Sequence, residues 1–78
     1  MLVVTLYSRP GCGLCDIARE GLVAEQARTP FELLDVDIET SDDLEREYGI
    51  RIPVVAIDGE EVFEISVDPE ELARLLAT

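Results

Sequence analysis

Leu2-Val3-Val4-Thr5-Leu6-Tyr7 is a β-prone run that is apolar on both faces except at Thr5. A strand with two apolar faces needs cover on both sides, so it belongs in the centre of a sheet. Ser8-Arg9-Pro10-Gly11 breaks the run, and a helical pattern follows at once. Leu14, Ile17, Ala18, Gly21 and Leu22 recur at i, i+3, i+4, i+7 and i+8, which predicts one buried helical face with Asp16, Arg19 and Glu20 mostly outside it. Thr29-Pro30 closes the helix. Any fold for this chain must feed a buried strand directly into a helix, and Cys12-Gly13-Leu14-Cys15 stands at that junction.

The rest of the pattern extends this unit. Phe31 to Ile38 reads as a second strand, and a strand, a helix and a strand together imply a parallel pair with a right-handed crossover. Thr40 or Ser41 can cap a short acidic helix whose Leu44 and Tyr48 share a face, with Gly49 suited to its C′ position. Val54–Ile57 and Glu61–Ile65 flank Asp58-Gly59, a two-residue hairpin signal that Glu60 could lengthen. Asp68-Pro69-Glu70-Glu71 opens a last helix whose Leu72, Leu75 and Leu76 form a buried stripe. The predicted order is βαβαββα, an α/β fold in one domain over residues 1–78, with no repeat, linker or low-complexity tract. At this size a single core supplies only about 3–5 kcal/mol, but a hydrophobic content of 47% is enough to fold.

The cysteines carry the chemistry. They are the only two in the chain, and with two residues between them both fit the first helical turn, where their sulfurs can meet. The unpaired N–H groups and positive dipole end of a helix start stabilise an anion, so a thiolate is favoured at the first cysteine. Cys12 is the expected nucleophile and Cys15, one turn deeper, the resolving thiol of a thiol–disulfide exchange. A purely structural disulfide is the plainer alternative, yet one closing so small a loop adds little stability, and Gly11 and Gly13 point to an exposed turn. With no histidine, Cys-His and Ser-His-Asp arrangements are excluded, and two cysteines fall short of the four ligands of a structural zinc site. Asp42-Asp43-Glu45 and Glu60-Glu61 lack the spacing of a calcium loop, so no metal site is expected.

The charge balance narrows the partners. Six arginines, no lysine and 18 acids give 6 − 18 = −12, which argues against nucleic acid and anionic membrane. Leu2–Tyr7 is too short for a membrane span or a signal-peptide core, so the expected setting is cytoplasmic, where thiols are kept reduced.

With this order in hand, the chain resembles the glutaredoxin branch of the thioredoxin superfamily over essentially its whole length. The specific parts are Leu6-Tyr7-Ser8-Arg9-Pro10-Gly11-Cys12-Gly13-Leu14-Cys15 and Arg51-Ile52-Pro53-Val54 ahead of the hairpin. The resemblance implies a thioredoxin fold: a four-stranded mixed sheet, first two strands parallel and last two antiparallel, flanked by three helices on both faces. It implies that Pro53 is cis and lies against the nucleophilic cysteine, and that Ile52 offers its backbone N–H and C=O to an extended substrate. Arg9 falls where glutaredoxins often carry a lysine, and Arg51 replaces the threonine of the Thr-Val-Pro motif; both would attract a carboxylate of glutathione. Arg9, Gly11, Gly13, Leu14, Arg51, Ile52 and Pro53 form the expected substrate-binding set.

Two departures qualify the resemblance. Gly-Leu stands between the cysteines in place of the Pro-Tyr of typical dithiol glutaredoxins, which changes the first helical turn and with it the redox potential. The Gly-Gly-x-Asp segment that cradles glutathione is absent, and Phe63-Glu64-Ile65-Ser66 stands about where it would be. The expected protein is a monomeric thiol–disulfide oxidoreductase acting on a protein or low-molecular-weight disulfide. It needs no tightly bound cofactor, and glutathione (as co-substrate) or a thioredoxin-reductase-type partner serves as reductant. The alternatives are an iron–sulfur cluster-binding module formed at a dimer interface and a redox-inert interaction domain.

Overall fold

In the computed structural model, which describes residues 1–77, the first apolar run becomes strand β1 at Val3–Ser8, and helix α1 spans Gly13–Arg28. Strand β2 follows at Glu32–Asp37, then a 3-10 turn at Ile38–Thr40 and helix α2 at Asp42–Tyr48. Strands β3 (Val54–Ile57) and β4 (Glu60–Glu64) form the hairpin, and helix α3 spans Pro69–Leu76. The strands lie in the order β2-β1-β3-β4. β1 and β2 are parallel with Leu6 beside Asp35; β1–β3 and β3–β4 are antiparallel, with Leu6 opposite Val55 and Val55 opposite Phe63. This is the predicted βαβαββα arrangement, a thioredoxin fold.

The central strands are buried on both faces. Val4 and Leu6 of β1 and Val55 of β3 share one face, where Ala18 and Leu22 of α1, Phe31, and Leu72 and Leu76 of α3 complete the core. Successive side chains of a strand point to opposite faces, so Tyr7, Val54 and Ala56 face the other way. There Tyr7 stacks on Tyr48 of α2 with ring centroids 4.1 Å apart. α2 therefore covers the face opposite α1 and α3. The sheet edges carry Glu32, Asp35 and Asp37 on β2 and Glu60, Glu61 and Glu64 on β4, charges that discourage pairing with another chain's edge.

Local chemistry fixes the turns. Asp58 and Gly59 have φ of 50° and 87°, the paired positive values of a type I′ hairpin. Asp58 also latches the hairpin to β1, its Oδ1 accepting the Val3 N–H at 2.8 Å. Glu60 joins the ladder opposite Ile57 rather than the turn, and Ile65 falls outside β4. Ser41 caps α2, and Asp68 caps α3 by accepting the Glu70 N–H at 3.0 Å.

Three details correct the sequence reading. The buried face of α1 is Cys15, Ala18, Leu22 and Glu25, whereas Leu14 is 52% and Ile17 65% exposed. Aliphatic side chains ring most of α1, so periodicity alone leaves its rotation open and packing on the sheet decides it. Gly49 keeps right-handed helical angles (φ −52°) instead of the left-handed C′ geometry. Its small size is required by crowding, since a Cβ there would come within 2.5 Å of Glu45 O. Leu75 is only half-buried beside Leu72 and Leu76.

Arg19 fastens α1 to both parallel strands. Its Nε donates to Asp35 Oδ2 at 2.5 Å, its Nη2 to Ser8 Oγ at 3.0 Å and its Nη1 to Asp16 Oδ1 at 2.9 Å. Ser8 Oγ in turn donates to Asp35 Oδ1 at 3.1 Å. The Arg19 hydrogen bond, helped by Ser8, outweighs partial desolvation and holds the Asp35 carboxyl below its ordinary range.

Leu22→Ala should cost about 2–5 kcal/mol in urea unfolding through the cavity it leaves, and Ile17→Ala no more than about 0.5 kcal/mol. Comparable losses at the two positions would contradict this rotation of α1. Gly21 is mid-helix with nothing within 4 Å of where a Cβ would stand, so Gly21→Ala should gain about 0.5–1 kcal/mol. Asp35→Asn should cost under about 1 kcal/mol at neutral pH, because the carboxylate is 43% exposed and screened. A lowered native pKa gives stability that is present above the ordinary aspartate value and lost as pH falls through the native one. The difference between Asp35→Asn and wild type should therefore shrink on acidification, and a constant difference would refute the linkage.

Candidate active site

The chain leaves β1 through Pro10-Gly11, where Gly11 takes φ 79°, a left-handed value suited to glycine. Cys12 is the N-cap of α1: its backbone is extended (φ −92°, ψ 108°), and its Sγ accepts the Cys15 N–H at 3.1 Å. That bond is the one a Ser or Asp oxygen makes at an ordinary N-cap, here made by the sulfur. The Cys12 Sγ thus lies at the unpaired N–H end of a 16-residue helix, where negative charge is favoured. Cys12 is half-buried and Cys15 wholly buried. The two are joined as a disulfide with Cα atoms 5.2 Å apart, within the ordinary span of such a bridge. A sulfur at the surface is coupled to a sulfur in the core, the arrangement that thiol–disulfide redox chemistry uses.

The Ile52–Pro53 peptide is cis, as the resemblance implies, and Pro53 is buried. The Ile65 N–H binds this segment twice, donating to Pro53 O at 2.8 Å and to Arg51 O at 3.2 Å. Ile65 does so at φ 72°, a costly conformation for a β-branched residue. No glycine marks the position, so the sequence carries no signal for it. The Ile52 N–H, expected to face substrate, donates to Tyr48 O at 3.1 Å instead. That N–H is therefore already paired within the molecule.

Both candidate cations lie against carboxylates of the chain itself. Arg9 reaches α2, its Nη2 4.0 Å from Glu45 Oε1, with its Nε buried and without a hydrogen-bond partner among the described residues. Arg51 lies over the Tyr48 ring at 5.4 Å and binds Glu64 Oε2 through Nε at 2.8 Å, Glu61 through Nη2, and Glu47 at 3.7 Å. Hydrogen bonds donated to Glu64 and Glu61 push the Arg51 pKa up, so it stays charged throughout. Desolvation, then the Tyr7 hydrogen bond, raises Tyr48 to about 12, so its phenol stays neutral. Arg19, Arg28, Arg46 and Arg74 also pair with carboxylates. Each of the six arginines thus has a carboxylate within 4.0 Å, Arg9 at the limit of that range.

Gly13 and Leu14, between the cysteines, are exposed. Phe63 is half-buried against the core, and Glu64 is exposed beside it. Among the described residues no three His, Cys, Asp or Glu side chains converge to hold a metal ion, and no helix is long and apolar enough to cross a membrane.

Comparison with known proteins agrees with this geometry. The family model of the glutaredoxin-like domain (DUF836) matches residues 3–77. An uncharacterized protein of Mycobacterium tuberculosis is 31% identical over 79 residues, covering 95% of this chain and 81% of the relative. A structural-genomics target from X. campestris is 37% identical, covers 95% of each chain and superposes with a TM-score of 0.78. A mutant thioredoxin from Halobacterium salinarum is 24% identical and shares the fold, with a TM-score of 0.70 over 96% of this chain and 71% of that one. A family match across nearly the whole length, on a fold held in common with thioredoxins, means that this chain belongs to the glutaredoxin-like domain (DUF836) family.

Proposed function

We propose that the protein is a dithiol–disulfide oxidoreductase in which Cys12 is the nucleophile and Cys15 the resolving thiol. The observation that carries this reading is the N-cap position of Cys12, with its Sγ on the Cys15 N–H while Cys15 itself is buried. In the reduced protein the Cys12 thiolate attacks one sulfur of a substrate disulfide, forming a mixed disulfide and releasing the other sulfur as a thiolate that takes a proton. The Cys15 thiol then loses its proton and attacks Cys12 Sγ. The second substrate sulfur departs as a thiol, and the Cys12–Cys15 disulfide remains. Two electrons and two protons pass to the substrate, and an external dithiol or two monothiols must restore the enzyme.

The charge arrangement favours a reductase-type partner over glutathione. Glutathione needs cations for its carboxylates, and here Arg9 and Arg51 are both engaged by acids. A net charge of −12 adds long-range repulsion of an anionic tripeptide, felt over a screening length of about 8 Å at physiological salt.

In the reduced protein at neutral pH, alkylation should label Cys12 at least about tenfold faster than Cys15, and Cys15→Ser should accumulate the mixed disulfide. Equal labelling, or preference for Cys15, would sink the assignment of roles. Glutathione-coupled turnover should be weak, rise with moderate salt, fall in Arg9→Ala and improve in a Glu61→Gln, Glu64→Gln variant that releases Arg51. Robust wild-type turnover, indifferent to these changes, would show that glutathione is held by another route.

A further inference from the structure

An apolar groove of about 340 Å³ runs along α1 from Leu14 to Arg28. Leu14, Ile17, Gly21 and Ala24 form one wall, and Ile65 and Val67 belong to the other. Its size falls within the range of ordinary ligand sites, about 300–1,000 Å³. Leu14, two residues after Cys12 in the chain, stands at one end of the lining, while neither cysteine itself lines the groove. Neither Ile52 nor Pro53 lines it.

Two residues break local rules, one on each wall. Gly21 weakens the middle of α1, yet no atom lies within 4 Å of the space a side chain would take. The helix itself therefore gives no reason for a glycine there. Ile65 holds φ 72°, where glycine would sit without strain, and still presents a β-branched side chain that is 45% exposed. One wall is kept small and the other apolar, each at a cost to the fold. Local conflicts of this kind gather at functional sites.

Charge selects the occupant. A second copy of the chain would bring another −12 against this one. Arg28, the one cation in the lining, is neutralised by Glu25 at 3.2 Å. Glu20, one turn from both Ile17 and Ala24, and Glu70, next to Pro69 of the lining, stand unpaired with any arginine among the described residues. Resting on the oxidoreductase reading above, we propose that the groove docks an extended segment of the substrate protein. That segment carries aliphatic side chains for the walls and lysine or arginine for the rim, and it delivers its disulfide to Cys12.

The test uses a short fluorescent peptide of leucines and lysines with serine in place of the reactive cysteine, and a counterpart with glutamate for lysine. Fluorescence anisotropy should show the lysine peptide binding wild type at low salt and weakening as salt rises, with the glutamate peptide at least about tenfold weaker. Gly21→Leu, which fills the groove, and Ile65→Gly, which removes a wall, should each weaken the lysine peptide about tenfold. Both substitutions suit their backbone, and circular dichroism melts check that each remains folded. Equal binding of the two peptides, or binding untouched by both variants, overturns the proposal. Stoichiometric turnover of neutral bis(2-hydroxyethyl) disulfide by the pre-reduced wild type, whose Cys12 and Cys15 thiols supply the two electrons, is measured in parallel. If that turnover is absent while the peptide results stand, the groove is supported and the redox reading fails.

Discussion

The sulfur of Cys12 does two jobs with one contact. By accepting the Cys15 N–H at 3.1 Å it caps α1, and by standing at that cap it meets the positive end of the helix. The rest of the architecture keeps this contact in place. β1, pinned between β2 and β3, delivers the Pro10-Gly11 turn at one position, and Arg19 ties α1 to Ser8 and Asp35 two turns further along. Burial of Cys15, Ala18 and Leu22 then sets the rotation of the helix so that Cys12 faces out and Cys15 faces in. A looser α1 would still hold two cysteines, but would no longer distinguish them.

Electrostatics is organised around scarcity of positive charge. Six arginines serve 18 acids, and each has a carboxylate of the molecule within 4.0 Å. Isolated surface pairs contribute little to stability, so their larger consequence is for recognition. An anionic ligand meets guanidinium groups already held by acids, whereas a cationic one meets many open carboxylates. Arg51 illustrates the point: its position beside Ile52–Pro53 would suit a glutathione carboxylate, and Glu64 and Glu61 occupy it first.

Much of this was legible in the sequence because local signals agreed with the fold. Asp58-Gly59 forms its type I′ turn, Asp68-Pro69 opens α3, and the doubly apolar β1 lies at the sheet centre. The cysteine pair stands at a helix start, as the breaker before it requires. Failures occurred where tertiary contacts outvoted local ones. Two overlapping stripes on α1 satisfy helical spacing, and only packing against Val4, Leu6 and Val55 selects Cys15, Ala18 and Leu22. The partners of Arg9 and Arg51 are fixed by α2 and β4 lying beside them, which spacing along the chain does not encode.

The misread face of α1 is itself informative. Leu14 and Ile17 look like core because they are aliphatic at helical spacing, yet burying them would rotate Cys15 and Leu22 away from the sheet. The two demands are incompatible on one helix, and the core wins because Leu22 and Cys15 are fully enclosed while Leu14 and Ile17 face an open groove. Leaving Leu14 52% and Ile17 65% exposed forgoes about half of the roughly 1.5–3 kcal/mol that full burial of each would bring. In a domain of 78 residues that is a large share of the core's margin. On the docking proposal above, a bound segment would cover these residues, and the groove and the cysteine pair would work as parts of one site.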